Sequence, residues 1–211
     1  MIRILIADDH EVVAEGLKQL IEAQADMQVV AIVGDGREAV RQVGELDPDV
    51  VIMDLSMPEL NGADATRVIL EQGAGRKVIV LSMYADHEYV RRALKAGALG
   101  YVVKRSAAKD VVEAVRSVHA GERYISPMVA DAVSTDAPAG KEDRLARLST
   151  REREVLQLLA EGRTGTEIAQ RLSLSPKTVE TYRARLVEKL GIRDVAGLVR
   201  FAIQRGIISL D

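Results

Sequence analysis

Through the first 120 residues, short runs of β-branched and aliphatic residues alternate with longer segments whose apolar positions recur at helical spacing. Ile2–Ala7, Gln28–Val33, Val50–Asp54, Lys77–Ser82 and Gly100–Val103 have the length and composition of strands. Helices are expected between and after them, near His10–Ala23, Gly36–Glu45, Asn61–Gln72, Asp86–Ala96 and Ala107–Ala120. Val50-Val51-Ile52-Met53 and Val78-Ile79-Val80-Leu81 carry no polar alternation, so helices should cover both faces of the sheet. Regular βα succession of this kind predicts an α/β fold on a five-stranded parallel sheet. The pattern decays after Gly121, and Ser134-Thr135-Asp136-Ala137-Pro138-Ala139-Gly140 reads as a linker, rich in small residues and breakers. Helical signals then resume. Ser149-Thr150-Arg151-Glu152 and Thr164-Gly165-Thr166-Glu167 match the capping box, and Ser175-Pro176 gives a third helix start. The tail is expected to be a small all-α unit of four helices beginning near 150, 166, 176 and 194. The chain therefore divides into domains at 1–122 and 145–211, with a linker at 123–144.

Composition narrows the function. Hydrophobic residues make up 47% of the chain and aromatics only 3%, so the core must rest on Val, Ile, Leu and Ala. With no cysteine, disulfides, thiolate metal sites and cysteine nucleophiles are excluded. No stretch approaches the length of a membrane span, which suggests a cytoplasmic protein with no membrane partner. The net charge of −3 conceals an asymmetry. Residues 1–144 carry 17 Lys and Arg against 24 Asp and Glu, giving −7, whereas residues 145–211 carry 12 against 8, giving +4. An acidic half joined to a basic half suggests cation chemistry in the first and polyanion binding in the second.

In an open parallel sheet, ligands bind outside the carboxyl ends of the strands. Asp8 and Asp9 follow the first strand, Asp54 closes the third, Ser82 closes the fourth and Lys104 follows the fifth. Carboxylates converging at one edge repel each other unless a divalent cation or a lysine neutralises them. Oxygen ligands with room for water suit Mg²⁺.

With Met57-Pro58 and Gly62 behind Asp54, and with Tyr101 beside Lys104, residues 1–120 closely resemble the receiver domains of two-component response regulators, which have a flavodoxin-like fold. The resemblance implies that Asp54 accepts a phosphoryl group from a phosphohistidine on a sensor histidine kinase. It implies that Asp9, Asp54 and the backbone carbonyl of Ser56 hold Mg²⁺, with Asp8 acting partly through water. Lys104 and Ser82 would contact phosphoryl oxygens, so that catalysis is mostly positioning and charge neutralisation. Ser82 moving toward the phosphate would let Tyr101 turn inward and reshape the output face. Many receivers have proline after this lysine in a cis peptide. Here Arg105 follows Lys104, so either the site holds the strain of a cis bond or the loop differs. Tyr84 either shields the aspartyl phosphate from water or is an ordinary surface aromatic. Aspartyl-phosphate hydrolases of the haloacid dehalogenase type place an Asp-x-Asp nucleophile on strand one, whereas the strand-one acids here are adjacent.

In the tail, Ser173-Leu174-Ser175 sets the Pro176–Leu190 helix across its predecessor as a helix-turn-helix recognition helix lies. Leu148 through Leu156, Glu161-Gly162, Glu167-Ile168-Ala169, Lys177-Thr178-Val179-Glu180 and Lys189-Leu190-Gly191 resemble the DNA-binding domain of the LuxR and NarL type. The combined resemblance is to NarL/FixJ-type regulators, which are transcription factors rather than enzymes. It implies that Lys177, Thr178, Arg183 and Arg185 contact DNA phosphates and that Glu180, Thr181 and Ala184 face the major groove. It further implies double-stranded promoter DNA as ligand, a homodimer on phosphorylation, and RNA polymerase as a candidate partner. The family often has histidine at Tyr182, and asparagine then lysine at Gly165 and Thr166, which removes a phosphate contact near the second helix. Val195, Leu198, Val199 and Ala202 either form a dimerisation face or complete the core.

Overall fold

The computed structural model describes residues 1–73, 75–105, 108–130 and 144–208. The chain separates into two compact units, Met1–Asp136 and Ala137–Asp211.

The first unit is a parallel sheet with helices on both faces. Its elements run β1 (Ile2–Ala7), α1 (Glu11–Glu22), β2 (Met27–Val33), α2 (Gly36–Leu46), β3 (Val50–Asp54), α3 (Gly62–Glu71), β4 (Val78–Ser82), α4 (His87–Lys95), β5 (Gly100–Val103), α5 (Ala108–His119) and β6 (Tyr124–Ile125). The strand order is β2-β1-β3-β4-β5-β6, and every pairing is parallel. Alternate residues of β1 serve opposite cores: Ile4 and Ile6 pack with α1 and α5, while Leu5 and Ala7 pack with α2 and α3. Burial on both faces explains the unbroken apolar runs.

The expected sheet of five strands is corrected to six. Tyr124 and Ile125 pair with Gly100 and Tyr101 at the sheet edge, and a single 3₁₀ turn, Pro127–Val129, buries Val129 in the same core. A two-residue strand after the polar Glu122-Arg123 carries no periodicity to detect. The fold of the first unit thus continues past residue 122, through the 3₁₀ turn. The linker segment Ser134–Gly140 lies outside the described residues. None of the peptide bonds among the described residues is cis, so Lys104–Arg105 is trans and the cis alternative falls.

The second unit begins with a 3₁₀ turn, Arg144–Arg147, followed by α6 (Thr150–Ala160), α7 (Gly165–Leu172), α8 (Pro176–Leu190) and α9 (Val195–Gln204). Both expected capping boxes form. Ser149 and Glu152 exchange hydrogen bonds at the start of α6, and Thr164 and Glu167 do so at α7. Ser173 takes a left-handed conformation at the end of α7, and the Leu174 amide donates back to the Ala169 carbonyl at 2.8 Å, which turns the chain into the Ser175 cap of α8. The core of this unit is built from Leu145, Leu148, Val155, Leu156, Leu159, Ile168, Leu172, Val179, Leu186, Leu190, Phe201 and Ile207 among others. Leu198 and Ala202 join it, whereas Val195 is exposed. No helix among the described residues is long and apolar enough to cross a membrane.

Candidate functional site

The sheet reverses direction of growth at β1, which has β2 on one side and β3 on the other. A crevice therefore opens beyond the carboxyl ends of β1 and β3, and the acidic residues lie there. Asp8 and Asp54 are buried. The Lys104 ammonium sits between them, 2.8 Å from Asp8 Oδ2 and 3.0 Å from Asp54 Oδ2. Asp54 Oδ1 accepts a 2.8 Å hydrogen bond from the Leu55 amide. Gly62 is required behind this turn: its amide donates to the Leu55 carbonyl at 2.9 Å, and a Cβ there would collide with the Asp54 carbonyl oxygen.

Two effects compete at Asp54. Burial opposes its charge and wins, pushing its pKa up to about 6; Lys104 pulls the other way, and Asp8 and Asp9 add to the rise. For Lys104 the balance is reversed. Burial would lower its pKa, but Asp54 and Asp8 outweigh burial and the net shift is upward. One ammonium thus faces two buried carboxylates and can offset the charge of only one of them. His10, which the sequence reading did not assign to the site, places Nδ1 3.0 Å from Asp9 Oδ1 and 3.3 Å from Asp8 Oδ1. Ligand atoms of Asp8, Asp9, His10 and Asp54 all lie within 4.8 Å of one another, a spacing and donor set that fit a small divalent cation.

Ser82 and Tyr101 stand beside this cluster. The Ser82 hydroxyl accepts from the Tyr84 amide at 3.2 Å. Tyr101 is fully buried, and its hydroxyl donates to the Tyr84 carbonyl at 2.7 Å. Burial pushes its pKa up to about 12, partly offset by the Ser82 hydroxyl. The phenol is thus turned inward. Tyr84 stacks on Tyr89 of α4, with ring centroids 4.3 Å apart. Ser56 follows in the turn after Leu55 and is half-buried.

In the second unit, Lys177, Glu180, Thr181, Ala184 and Arg185 form the exposed side of α8, with Thr178 and Arg183 at its margins. The buried side is Val179, Leu186 and Leu190. Some of the outward groups have internal partners. Thr178 Oγ1 is 2.8 Å from Ser175 Oγ, Thr181 Oγ1 donates to the Lys177 carbonyl at 3.0 Å, and Arg183 pairs with Glu180 at 3.1 Å. Arg185 lies over the Tyr182 ring, with its guanidinium carbon 5.7 Å from the ring centroid. Glu152, missed as more than a capping residue, is buried and also accepts from Lys189 of α8 at 2.7 Å. That bond, with the Ser149 amide, holds its pKa down against burial.

Residues 4–116 match the response regulator receiver domain, and residues 146–202 match the bacterial regulatory proteins of the luxR family. The chain is 37% identical over 213 residues to the response regulator UvrY of Escherichia coli strain K12, covering all of this chain and 98% of that protein. It is 38% identical to the oxygen regulatory protein NreC of Staphylococcus carnosus, covering 98% of this chain and 99% of that one. Among solved structures, a complex of the response regulator RcsB with DNA is similar, with a TM-score of 0.60 and 28% identity over 97% of this chain and 98% of that chain.

Proposed function

This chain belongs to the two-component response regulators that join a receiver domain to a LuxR-type DNA-binding domain, and from that premise we propose that Asp54 is its phosphoacceptor. The observation that carries the proposal is the Lys104 ammonium held between the buried Asp8 and Asp54 carboxylates at the strand ends. Asp54 would attack the phosphorus of a sensor kinase's phosphohistidine through a carboxylate oxygen as the bond to the histidine nitrogen breaks. Lys104, which already faces Asp54 Oδ2, would pair with a phosphoryl oxygen of the product, and Ser82 would bond another. Asp8, Asp9, Asp54 and the Ser56 carbonyl would hold Mg²⁺, which supplies charge neutralisation for the transferred group.

In the DNA-binding unit, Lys177, Thr178, Arg183 and Arg185 are assigned to backbone phosphates, and Glu180, Thr181 and Ala184 to the major-groove face. We further propose that phosphorylation favours a homodimer on promoter DNA, and that residues 131–143 link the two units.

The test is labelling. Acetyl phosphate with Mg²⁺ should modify the whole protein at one site, and Asp54→Asn should abolish the label. Lys104→Ala should retain Mg²⁺ binding yet lose the phosphorylation-dependent gain in DNA affinity. Stoichiometric labelling of Asp54→Asn would remove the assignment.

A further inference from the structure

Asn61 at the N-cap of α3 and Asp64 one turn later are both buried, and they bond each other twice. The Asn61 side-chain oxygen accepts from the Asp64 amide at 3.1 Å, and its side-chain amide donates to Asp64 Oδ2 at 2.9 Å. The same Asn61 oxygen accepts a 2.7 Å hydrogen bond from the guanidinium of Arg92, on α4. The Arg92 side chain is only 14% exposed and lies 4.0 Å from Asp64 Oδ2. Arg67 contacts the other Asp64 oxygen at 2.9 Å. Arg67 is thus closer to Asp64 than Arg92 is, and a 2.7 Å bond of Arg92 goes to the neutral cap.

That cap is also the seat of the phosphoacceptor turn. Gly62, the next residue, donates to the Leu55 carbonyl and packs without a Cβ on the Asp54 carbonyl. The Leu55 amide in turn holds Asp54 Oδ1. An unbroken series of contacts thus runs from the Asp54 carboxylate through Leu55, Gly62 and Asn61 to Arg92. On the assignment of Asp54 as phosphoacceptor, we propose that Arg92 is a positioning residue for phosphoryl transfer: from α4 it fixes the α3 cap, and through the cap the rotamer and main chain of Asp54. Coupling of this kind is reciprocal. A displacement of α4 loosens the seat of Asp54, and a phosphoryl group on Asp54 reaches α4 through Asn61 and Arg92, a connection separate from Ser82 and Tyr101.

The experiment uses the full chain as wild type, Arg92→Met, Arg92→Lys, Asn61→Ser and the double variant Asn61→Ser/Arg92→Met. Serine retains a capping oxygen for α3 but is too short to meet Arg92. Two quantities are read: the backbone amide resonances of Leu55 and Gly62 without phosphodonor, and the initial rate of labelling by acetyl phosphate with Mg²⁺. Arg92→Met should shift both resonances and slow labelling by about threefold to tenfold, within the roughly twofold to thirtyfold range that couplings of this kind span. Arg92→Lys should recover most of the rate. In the Asn61→Ser background, adding Arg92→Met should change the rate by less than about twofold, because the shared bond is already gone. Unmoved resonances, or an equal loss in both backgrounds, would overturn the proposal. Should Arg92→Met fail to fold, Arg92→Gln replaces it under the same criteria. If the wild type takes no label, the assignment of Asp54 fails, and the resonances still decide whether Arg92 holds the turn.

Discussion

Asp54 sits where its charge is penalised, and the penalty has a measurable sign. Its pKa in the folded chain is pushed up to about 6 by burial, against the pull of Lys104, whereas in the unfolded chain it titrates near 4. Between those values the folded state, free of metal, binds the extra proton, so stability falls as pH rises through the window and levels off above it. Asp54→Asn removes that loss. In chelator at pH 8 the variant should be more stable than wild type by up to about 3 kcal/mol, from roughly 1.4 kcal/mol per pKa unit, and the advantage should vanish below about pH 4. Saturating Mg²⁺ should narrow it by stabilising the wild type. Denaturant melts from pH 4 to 8 with and without metal check this, and parallel curves for the two proteins would show that burial does not govern Asp54. These acids were legible from sequence because each occupies a strand end, and strand ends converge by topology. Arg92 was not. Its bond to Asn61 spans 31 residues and leaves no periodic trace.

The elements of the second unit followed local rules that the sequence displays. Ser149, Thr164 and Ser175 cap the helices they were expected to cap, because capping depends on residues three apart. The bond from Lys189 to Glu152 crosses 37 residues and needed the packed structure to appear. β6 escaped for a different reason: two residues at a sheet edge are too few to show alternation. On α8 the exposed side separates into groups that hold position and groups that read sequence. Arg185, which lies over the Tyr182 ring on the exposed side of α8, is expected to meet a phosphate. Arg185→Ala should therefore weaken specific and random duplexes by similar factors and lower the salt slope by about one unit. Thr181 has already spent its hydroxyl proton on the Lys177 carbonyl, so its methyl and an oxygen lone pair remain for a base edge. Thr181→Ala should cost roughly 1–3 kcal/mol on the selected operator and almost nothing on a scrambled duplex. Binding across a salt series measures both, and equal losses on the two duplexes for Thr181→Ala would mean that this side of α8 reads no bases.

At the scale of the whole molecule, charge and phosphorylation act in opposite directions on DNA. Residues 1–144 carry −7 and residues 145–211 carry +4, so the first unit repels a polyanion that the second attracts. A phosphoryl group adds further negative charge to the repelling unit. Electrostatics alone would therefore make the phosphorylated protein the weaker DNA binder. If phosphorylation instead strengthens binding, the gain must come from release of the DNA-binding surface or from dimerisation, either of which has to exceed the added repulsion. The two can be separated with a fragment covering residues 144–211. It should begin at Arg144, because Leu145 and Leu148 belong to the core of the second unit and the Arg144 guanidinium donates to the Leu190 carbonyl at 3.1 Å. We expect the fragment to bind a single half-site more tightly than the unphosphorylated whole chain at low salt. Repulsion between charges more than about 10 Å apart is largely screened near 0.1 M salt. A gap that closes as salt rises would be electrostatic, whereas a gap that persists would mean that the receiver covers the recognition helix. On two half-sites one helical turn apart, roughly 34–36 Å, the phosphorylated whole chain should overtake the fragment, since only it gains a dimer. If the fragment binds no better than the unphosphorylated chain at any salt, the receiver imposes no restraint, and dimerisation alone must carry the signal from Asp54 to the promoter.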